Sequence, residues 1–261
     1  MHGAWSIMTD LTLNNPSVRQ TLLRSRLESG EQLVAVDLAN EFGISLDTIR
    51  RDLLALEDGG LARRVRGGAI PVRSAATPYT ERRAEPAANH DTLAKASLPL
   101  IKSGMTIILG GGTTLVRLAA YLEPLDDLFV ITPAPAIASI TLEKSIQTYL
   151  VGGRLSPWGA CAVGCEAEAA LGNLAADLAF PGICGLDQAF GFSMDYTDEA
   201  GMTRAMIKAA NEVILVCAKE KVGQRARHRI LPVKDITTIV TDADAPTMQP
   251  FGDAGAEIIH A

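Results

Sequence analysis

Apolar residues recur at helical spacing in three stretches of the first 60 residues, and a glycine follows each stretch closely. This pattern predicts helices over residues 16–29, 34–42 and 45–58. Ser45 is well placed to cap the third helix, and Gly43 suits a left-handed turn between the second and third helices. The third helix has the clearest apolar face, which consists of Leu46, Ile49, Leu53 and Leu56.

The residues after the third helix predict a short two-stranded hairpin. Asp58-Gly59-Gly60 ends the helix, and the segment LARRVRGGAI, residues 61–70, follows it. Two short helices around a glycine turn, followed by a hairpin, outline a winged helix-turn-helix. The N-terminal part of the chain is therefore predicted to be a domain of this kind.

Further along, strand-like and helix-like runs alternate. The predicted strands cover residues 105–109, 128–132, 146–151, 177–180, 212–217 and 237–242. The predicted helices cover residues 114–122, 135–143 and 198–210. Alternation of this kind predicts an α/β domain built on a mostly parallel sheet.

These patterns divide the chain into four parts. Residues 1–15 are predicted to be a flexible N-terminus, and residues 16–73 the winged helix-turn-helix domain. Residues 71–90 are polar and contain three prolines, so a linker, partly packed or not, is predicted over residues 74–90. Residues 91–261 are predicted to form the α/β domain.

Composition excludes several classes of protein. Aromatic residues make up only 5% of the chain, too few for a protein that binds single-stranded nucleic acid by stacking. No apolar run reaches the roughly 20 residues of a membrane span, and no secretory signal pattern is visible, so a cytoplasmic protein is expected. The four cysteines show no CxxC spacing, so we predict reduced, buried thiols, no metal site and no cofactor.

The charges are distributed unevenly along the chain, whose formal net charge is −6. Residues 1–85 contain 11 arginines, no lysine and 11 acidic residues, so the whole negative balance lies in residues 86–261. Five arginines fall between positions 50 and 66, in and just after the third predicted helix. The asymmetry indicates two domains with different partners.

The arginine-rich stretch fits double-stranded DNA as a partner. On a helical wheel Arg51 lies opposite the apolar face of the third helix. The first turns of a recognition helix enter the major groove, where arginine binds guanine with two hydrogen bonds. Arginines of the hairpin would contact phosphates or the minor groove, and the glycine pair after them would let the backbone approach the DNA. The predicted DNA-binding residues are Ser45, Asp47, Thr48, Arg50, Arg51, Arg63, Arg64, Arg66, Gly67 and Gly68.

A solvated helix face is the alternative interpretation of these charges. In that case Asp47 pairs with Arg51, four residues along, and Asp52 pairs with another neighbour. The three helices, the Gly43 turn, the Ser45 cap and the basic hairpin agree with one another, and together they favour DNA binding.

The sequence ISLDTIRRDLLALEDGGLARRVRGGAI, residues 44–70, resembles the signature of the DeoR-type bacterial transcription regulators. Those carry the pattern Ser-x-x-Thr-Ile-Arg-Arg-Asp-Leu in the recognition helix and a wing that ends in Gly-Gly-Ala, and this chain matches both. Arg66 stands where the family usually has histidine. The resemblance implies a sequence-specific DNA-binding regulator, most often a repressor of a carbohydrate-catabolic operon.

The resemblance extends through most of the chain, because motifs such as GGGTT at 110–114, VGCEAE at 163–168 and DLAFPGICGLD at 177–187 keep the family's order. It implies an α/β sensor domain similar to ribose-5-phosphate isomerase and the CoA transferases. Such a domain binds a phosphorylated sugar or a related metabolite, which usually releases the repressor from DNA.

A glycine loop is the centre of the predicted effector site. Residues 110–114 follow a predicted strand and open a helix, so their backbone amides form an anion pocket. Arg154 follows another strand and suits phosphate, Lys221 stands where the family often has lysine, and Glu199 is a candidate acceptor for hydroxyl groups. A tight turn without a ligand is the alternative. The predicted effector-binding residues are Gly110, Gly111, Gly112, Thr113, Thr114, Gly153, Arg154, Glu199 and Lys221.

Four polar positions of the family pattern are altered in this chain. Where the family usually has Asp, Asn, Lys and Asp, the residues here are Gly110, Pro133, Thr203 and Ala218. The resemblance therefore implies different contacts to sugar hydroxyls. An unusual effector and a degenerate site both stay open at this point.

Two other functions stay open as well. One is an isomerase-like enzyme acting on a phosphorylated sugar, which needs a carboxylate base and a lysine or acid partner; the replacements at 110 and 203 speak against it, and no catalytic residue is predicted. The other is a DNA-binding regulator without a small effector. A single winged helix binds DNA weakly, so a homodimer or tetramer is expected in the regulator.

Overall fold

Internal contacts divide the chain into two units, one ending at Ala75 and the other beginning at Ala76. The predicted N-terminal segment, apart from Asn15, lies outside the described residues. Within the described part of the chain, no helix combines the length and the apolar character needed to cross a membrane. The computed structural model describes residues 15–28, 31–58, 62–71, 78–84 and 88–261.

The first unit contains the predicted three helices and the predicted hairpin. Gly43 has the left-handed conformation, with φ of 64°, that the turn between the second and third helices requires. The elements are α1 (Pro16–Glu28), β1 (Leu33–Val34), α2 (Ala35–Phe42), α3 (Leu46–Asp58), β2 (Ala62–Val65) and β3 (Gly68–Pro71).

The apolar faces of α1, α2 and α3 meet in one core. The stripe predicted on α3 is buried from Ile49 onward, while Leu46, in the first turn, is only partly buried. Burial of side chains of this size stabilises the unit by about 1.5–3 kcal/mol each. The buried helical residues include Leu23, Leu27, Leu38, Phe42, Ile49, Leu53 and Leu56.

A charge pair lies inside this core. Arg19 of α1 donates from Nε to Asp52 Oδ2 of α3 at 2.5 Å and from Nη2 to Oδ1 at 3.1 Å. Both side chains are about 5% exposed, at 4% and 6%. The two-point contact satisfies the buried charges and fixes α1 against α3. Asp52 therefore has a partner 33 positions away rather than a neighbour on its own helix.

The strands of the first unit form an antiparallel sheet with the order β1-β3-β2. The hairpin β2–β3 was expected from the sequence, whereas β1, a strand of two residues, is too short to show a pattern. It pairs with β3 through Leu33 opposite Ala69 and Val34 opposite Gly68. The wing is thereby attached to the segment that precedes α2.

The second unit is the predicted α/β domain. Its helices are α4 (Tyr79–Ala84), α5 (Ala88–Ser97), α6 (Thr113–Tyr121), α7 (Pro135–Glu143), α8 (Cys165–Leu171), α9 (Thr197–Lys208) and α10 (Ala245–Asp253). Its strands are β4 (Thr106–Leu109), β5 (Phe129–Thr132), β6 (Gln147–Leu150), β7 (Arg154–Ser156), β8 (Cys161–Val163), β9 (Ala176–Phe180), β10 (Gly185–Asp187), β11 (Gly191–Met194), β12 (Ala210–Cys217), β13 (His228–Leu231), β14 (Thr238–Thr241) and β15 (Glu257–His260).

Seven of these strands form one parallel sheet in the order β15-β14-β12-β9-β4-β5-β6. From β4 the chain builds outward through β5 and β6, and from β9 it builds in the opposite direction. The order therefore reverses between β4 and β9. In open parallel sheets, ligands bind beyond the carboxyl ends of the strands at such a reversal.

Shorter strands of the second unit form two separate antiparallel sheets. β10, β11 and β13 form a small sheet, and β7 pairs with β8. These strands have three or four residues each, and several of them lie in segments rich in glycine, so the sequence pattern did not predict them. The β7–β8 turn carries residues 157–160 toward the carboxyl end of β4.

Part of the predicted linker is helical. α4 and the first residues of α5 fall within residues 74–90, and Tyr79 is 8% exposed. The Tyr79 N–H donates to the carbonyl oxygen of Pro157 at 3.0 Å, which ties α4 to the β7–β8 turn. The sequence after Tyr79 is polar and shows no apolar period, so the pattern did not predict α4. A six-residue helix can pack through only one or two side chains.

Candidate DNA interface and effector site

Helix α3 begins at a side-chain cap. The Ser45 Oγ accepts a hydrogen bond from the Thr48 N–H at 3.2 Å, and it lies 2.8 Å from the Thr48 Oγ1. This is the N-cap that the sequence predicted. Ser45 is exposed and Thr48 is half-buried, so the first turn of α3 presents hydroxyl groups and backbone amides at its surface.

The outward face of α3 carries two arginines in different situations. Arg50 donates from Nη1 to Asp47 Oδ1 at 3.1 Å, and both side chains are well exposed. Arg51 is also exposed, and among the described residues no hydrogen bond or ion pair holds its side chain. The alternative pairing of Asp47 with Arg51 is therefore wrong for this structure. Arg51 is a cation available to an outside partner.

The wing is anchored to the end of α3. The Arg64 N–H donates to Glu57 Oε1 at 2.9 Å, and a turn of two residues, Arg66 and Gly67, joins β2 to β3. The side chains of Arg64 and Arg66 are exposed. Arg63 pairs through its backbone with Ile70, and its side chain lies outside the described residues. The wing thus adds cationic groups to the unit that carries Arg51.

The glycine pair of the wing serves the protein's own backbone. Gly67 has φ of 95°, which few other residues adopt, and its carbonyl oxygen accepts from the Ala35 N–H at 2.8 Å at the start of α2. A Cβ on Gly68 would overlap the carbonyl oxygen of Leu33. Gly68 is buried, and β1 fills the space beside it. Its contact with DNA stays a prediction.

A cavity opens in the second unit at the reversal between β4 and β9. Its free volume of about 40 Å³ is room for a few water-sized atoms. Three loops border it: the glycine loop after β4, residues 181–184 after β9, and the β7–β8 turn. The side chains and loops that line it include Arg82, Gly111, Gly112, Thr114, Trp158, Gly182, Cys184, Glu199 and Lys221.

Glycines bring the three loops together. A Cβ on Gly111 would collide with the carbonyl oxygen of Gly159, and a Cβ on Gly182 would lie 2.5 Å from the carbonyl oxygen of Gly111. Gly112 has φ of 122° and precedes the first turn of α6, where Thr114 is buried. The glycine loop therefore places the N-terminus of α6, with its unpaired amides, beside the cavity.

Glu199 is a buried carboxylate at the edge of the cavity. Its Oε1 accepts from the Ser156 Oγ at 2.5 Å and from the Gly159 N–H at 2.7 Å, and the residue is 4% exposed. It lies in the first turn of α9, where the helix dipole favours a negative charge. Glu199 thus fixes the β7–β8 turn and at the same time faces the cavity.

Arg82 lines the cavity from α4, within the predicted linker, and was not among the predicted site residues. Its Nη2 donates to the carbonyl oxygen of Trp158. Its Nε is buried and has no hydrogen-bond partner among the described residues. The sequence signal that could have found it is weak: two adjacent arginines, Arg82 and Arg83, in a polar stretch.

His90 on α5 has several charged groups near it, among them two residues that line the cavity, Arg82 and Lys221. The pKa of His90 on α5 lies below its ordinary value, because burial disfavours the charged imidazolium. Lys221, Arg117 and Arg82 lower this pKa further through their positive charges, and Glu220 acts in the opposite direction.

Trp158 forms an aromatic wall of the cavity. Its ring stacks on Tyr196, with 4.7 Å between the ring centroids and 10° between the ring planes.

Two thiols lie near the cavity. Burial and the charge of Glu199 raise the pKa of Cys161 to about 12, and burial raises the pKa of Cys184. Both thiols stay protonated near neutral pH and are poor nucleophiles. Cys165, in contrast, is exposed, against the expectation that the cysteines are buried.

The structure brings some predicted effector residues together and leaves others apart. Gly111, Gly112, Thr114, Glu199 and Lys221 line the cavity. The remaining four do not line it: Gly110, Thr113, Gly153 and Arg154.

Arg154 forms an ion pair with Asp198 at the surface, where both side chains are more than half exposed. Gly153 has φ of 144°, and a Cβ placed on it would lie 3.1 Å from the Ala167 Cβ and 3.2 Å from the Val163 carbonyl oxygen. A strand followed by Gly-Gly-Arg therefore predicted the wrong cation: the arginine at the cavity is Arg82.

The four positions that depart from the family pattern are closely surrounded by other residues. A Cβ on Gly110 would lie 3.0 Å from the Gly182 nitrogen and 3.0 Å from the Met206 Cε, so a larger residue would require the loop after β9 to shift. Thr203 and Ala218 are buried, and the Pro133 carbonyl oxygen accepts from the Ala162 N–H at 2.7 Å. These positions contribute shape rather than charge.

Family models match both units of the chain. A DeoR-like helix-turn-helix domain matches residues 19–75, and a DeoR C terminal sensor domain matches residues 86–243. Together the two matches cover most of the chain. The sequence resemblance to the DeoR-type regulators is therefore confirmed for both the DNA-binding domain and the sensor domain.

Two curated relatives illustrate the similarity. A protein of Escherichia coli O157:H7, whose name assigns it to transcriptional repression of the aga operon, is 30% identical over 251 residues, which are 93% of each chain. The glycerol-3-phosphate regulon repressor of Escherichia coli K12 is 28% identical over 213 residues, covering 80% of this chain and 84% of that one.

A solved structure, ribose-5-phosphate isomerase A of Methanocaldococcus jannaschii, is similar to part of the chain, with 19% identity and a TM-score of 0.37. The match covers 51% of this chain and 53% of that one.

Proposed function

Because the chain belongs to the DeoR family of transcriptional regulators, we propose that it represses a carbohydrate-catabolic operon and leaves its operator when a phosphorylated sugar binds the cavity. The observation that carries the DNA-binding half is Arg51, an exposed cation on a capped helix with no partner among the described residues. The names of the two repressor relatives support the assignment.

On DNA, α3 enters the major groove with its first turns. Arg51 takes the O6 and N7 of a guanine, and Ser45 and Thr48 contact a phosphate or a thymine methyl group. Asp47 holds Arg50 at the edge of this surface. Arg63, Arg64 and Arg66 of the wing contact phosphates, so they supply affinity and register rather than sequence discrimination.

In the sensor unit, the effector's phosphate lies at the N-terminus of α6, and Lys221 neutralises it. Glu199 accepts a hydroxyl group of the sugar, and Trp158 packs against the sugar ring. The free volume of about 40 Å³ suits the phosphate alone, so the rest of the ligand extends toward the mouth or opens the cavity further.

The site is suited to binding rather than turnover. An isomerase-like reaction needs a free carboxylate base, whereas Glu199 Oε1 already accepts two hydrogen bonds, and the thiols nearby stay protonated. The relatives that match the chain are transcriptional regulators. We infer a cytoplasmic, non-enzymatic regulator that acts as a homodimer or tetramer on paired half-sites.

Fluorescence anisotropy of the purified protein on the DNA upstream of its own gene tests the proposal. The expected result is binding that weakens by orders of magnitude between low and moderate salt, as phosphate contacts through arginine require. One compound from a panel of phosphorylated sugars, sugar acids and polyols should then release the DNA. Binding that does not depend on salt would contradict the assignment of the arginines to DNA phosphates. Failure of every compound on the panel to release the DNA would contradict the proposed effector site.

A further inference from the structure

We propose that Arg82 binds the anionic group of the effector and, by exchanging the Trp158 carbonyl for that anion, couples the cavity to the chain that leads to the wing. The inference deepens the proposed function, because it rests on an anionic ligand in the same cavity. It concerns a residue outside the glycine loop and outside every sequence motif of the sensor.

The first observation is the state of the guanidinium itself. Arg82 lines the cavity, and its Nε is buried with no hydrogen-bond partner among the described residues. A buried charged N–H without an acceptor is expensive, because the guanidinium has lost water and gained nothing in return at that atom. An oxyanion in the cavity supplies the acceptor. Arginine suits this role since its planar fork binds phosphate or carboxylate at two points.

The second observation is what surrounds the guanidinium. The cavity also holds Lys221 and the N-terminus of α6, which follows Gly112, and these groups favour a negative charge. Glu199 is the acidic side chain among the lining residues, and its Oε1 is engaged by Ser156 and Gly159. An anion placed among Arg82, Lys221 and the α6 N-terminus is therefore favoured over a neutral group.

The third observation is how α4 is held. Two carbonyl oxygens of the β7–β8 turn accept from α4: Pro157 from the Tyr79 N–H and Trp158 from Arg82 Nη2. An anion that binds the guanidinium at two points, through Nε and Nη2, competes with the Trp158 carbonyl for Nη2. Loss of that bond leaves α4 with one of its two attachments to the turn.

The position of α4 in the chain makes this exchange consequential. β3 of the wing ends at Pro71 and α4 begins at Tyr79, so seven residues join the two elements. A ligand that changes the attachment of α4 therefore acts on the helix that comes next after the wing in the sequence. Arg82 thus links occupancy of the cavity to the attachment of α4, the first helix of the sensor unit.

Trp158 provides a direct reporter of the exchange. The chain has two tryptophans, and the change Trp5→Phe leaves Trp158, whose carbonyl accepts from Arg82, as the single emitter. Titration of the full-length Trp5→Phe protein with inorganic phosphate should change its fluorescence in a saturable way. Adding Arg82→Gln should weaken the apparent affinity at least about tenfold, since one charged anchor is worth 1.4 kcal/mol or more.

Arg83→Gln is the matched control. Arg83 is the next residue of α4, it is exposed, and the change removes the same charge from the same helix. We expect it to leave the phosphate titration unchanged. Arg82→Lys keeps the charge but lacks the planar fork, so it should restore little of the affinity. Unfolding curves of both Arg82 variants that match the parent's would exclude loss of α4 as the cause. Equal phosphate affinities in Arg82→Gln and Arg83→Gln, or no saturable response in the parent protein, would overturn the proposal.

Release of DNA completes the test and separates the two proposals. On operator DNA, Arg82→Gln should require at least about tenfold more of the releasing compound than Arg83→Gln. A protein that fails to bind DNA refutes the proposed function but leaves the phosphate titration to judge Arg82. A protein that binds DNA and is released equally well in both variants retains the proposed function and refutes the role of Arg82.

Discussion

The two units use charged side chains in opposite ways. In the winged-helix unit, the residues that hold the structure and the residues that face outward are different: Arg19 and Asp52 pair in the core, while Arg51 is exposed. In the sensor unit, the same residues do both. Glu199 anchors the β7–β8 turn and lines the cavity, and Arg82 holds the Trp158 carbonyl and lines the cavity.

This difference follows from the partners. DNA is a large surface, so a rigid unit can be built first and present its cations on the outside. A small ligand has to be enclosed, so the groups that touch it are the groups that pack around it. Variants of the first unit should therefore separate stability from binding, and variants of the second should change both together.

The largest expected effect is on the buried pair. Asp52→Ala leaves the Arg19 guanidinium buried without its carboxylate, so the first unit should lose about 3–5 kcal/mol of stability. Urea denaturation followed by circular dichroism measures the loss. Asp47→Ala, on the exposed face of the same helix, is the control and should change the free energy of unfolding by less than about 0.5 kcal/mol. Similar values for both would mean that Asp52 is not the anchor of α3.

Glu199→Ala tests whether support and ligand contact coincide in the sensor. The change removes the acceptor of the Ser156 hydroxyl and the Gly159 amide, so the second unit should lose about 1–3 kcal/mol of stability. Its response to the releasing compound should weaken in the same protein. Unfolding curves and DNA-release titrations measure the two effects. Loss of one without the other would contradict the comparison.

Arg51→Ala should affect binding alone. Its free energy of unfolding should stay within about 0.5 kcal/mol of the parent, while operator affinity falls by about 1–3 kcal/mol and discrimination relaxes at one base pair. Anisotropy on operators changed one base pair at a time measures both quantities. A uniform loss on every sequence would instead make Arg51 a phosphate contact.

The smallest effect belongs to the cap of α3. Ser45→Ala removes the oxygen that accepts from the Thr48 N–H and should destabilise the first unit by about 1 kcal/mol. Ser45→Asp keeps the cap but adds a negative charge to the DNA-facing turn, so it should restore stability and still weaken operator binding. A variant with restored stability and full affinity would place Ser45 outside the interface.

Local patterns predicted the elements that have enough residues to show a period. The stripe on α3, the Gly43 turn and the strand–helix alternation from 105 to 143 could be predicted because each repeats over a full turn or strand. β1 and the strands around the cavity could not, since two to four residues carry no period. The linker prediction overlooked α4, whose polar sequence packs through Tyr79 and Arg82.

Pairings between distant residues could not be predicted from the sequence. The alternative interpretation paired Asp52 with a neighbour on its own helix, whereas its partner in the structure is Arg19 of α1, 33 positions away. The glycine pair of the wing was predicted to approach DNA, but a Cβ on Gly68 would overlap the carbonyl oxygen of Leu33 in the protein itself. A glycine in the sequence can indicate a close approach to the backbone. Whether a ligand or another part of the protein makes that approach depends on the tertiary structure.

The attachment of α4 to the β7–β8 turn has a practical consequence for hybrid regulators. Joining this sensor to the DNA-binding half of a relative at residue 85 or later would bring in a foreign α4, without the Tyr79 and Arg82 contacts to Pro157 and Trp158. A junction between 72 and 77 keeps those contacts with the sensor. Hybrids cut at the earlier point should still respond to the sensor's own inducer, and hybrids cut at the later point should bind DNA without responding.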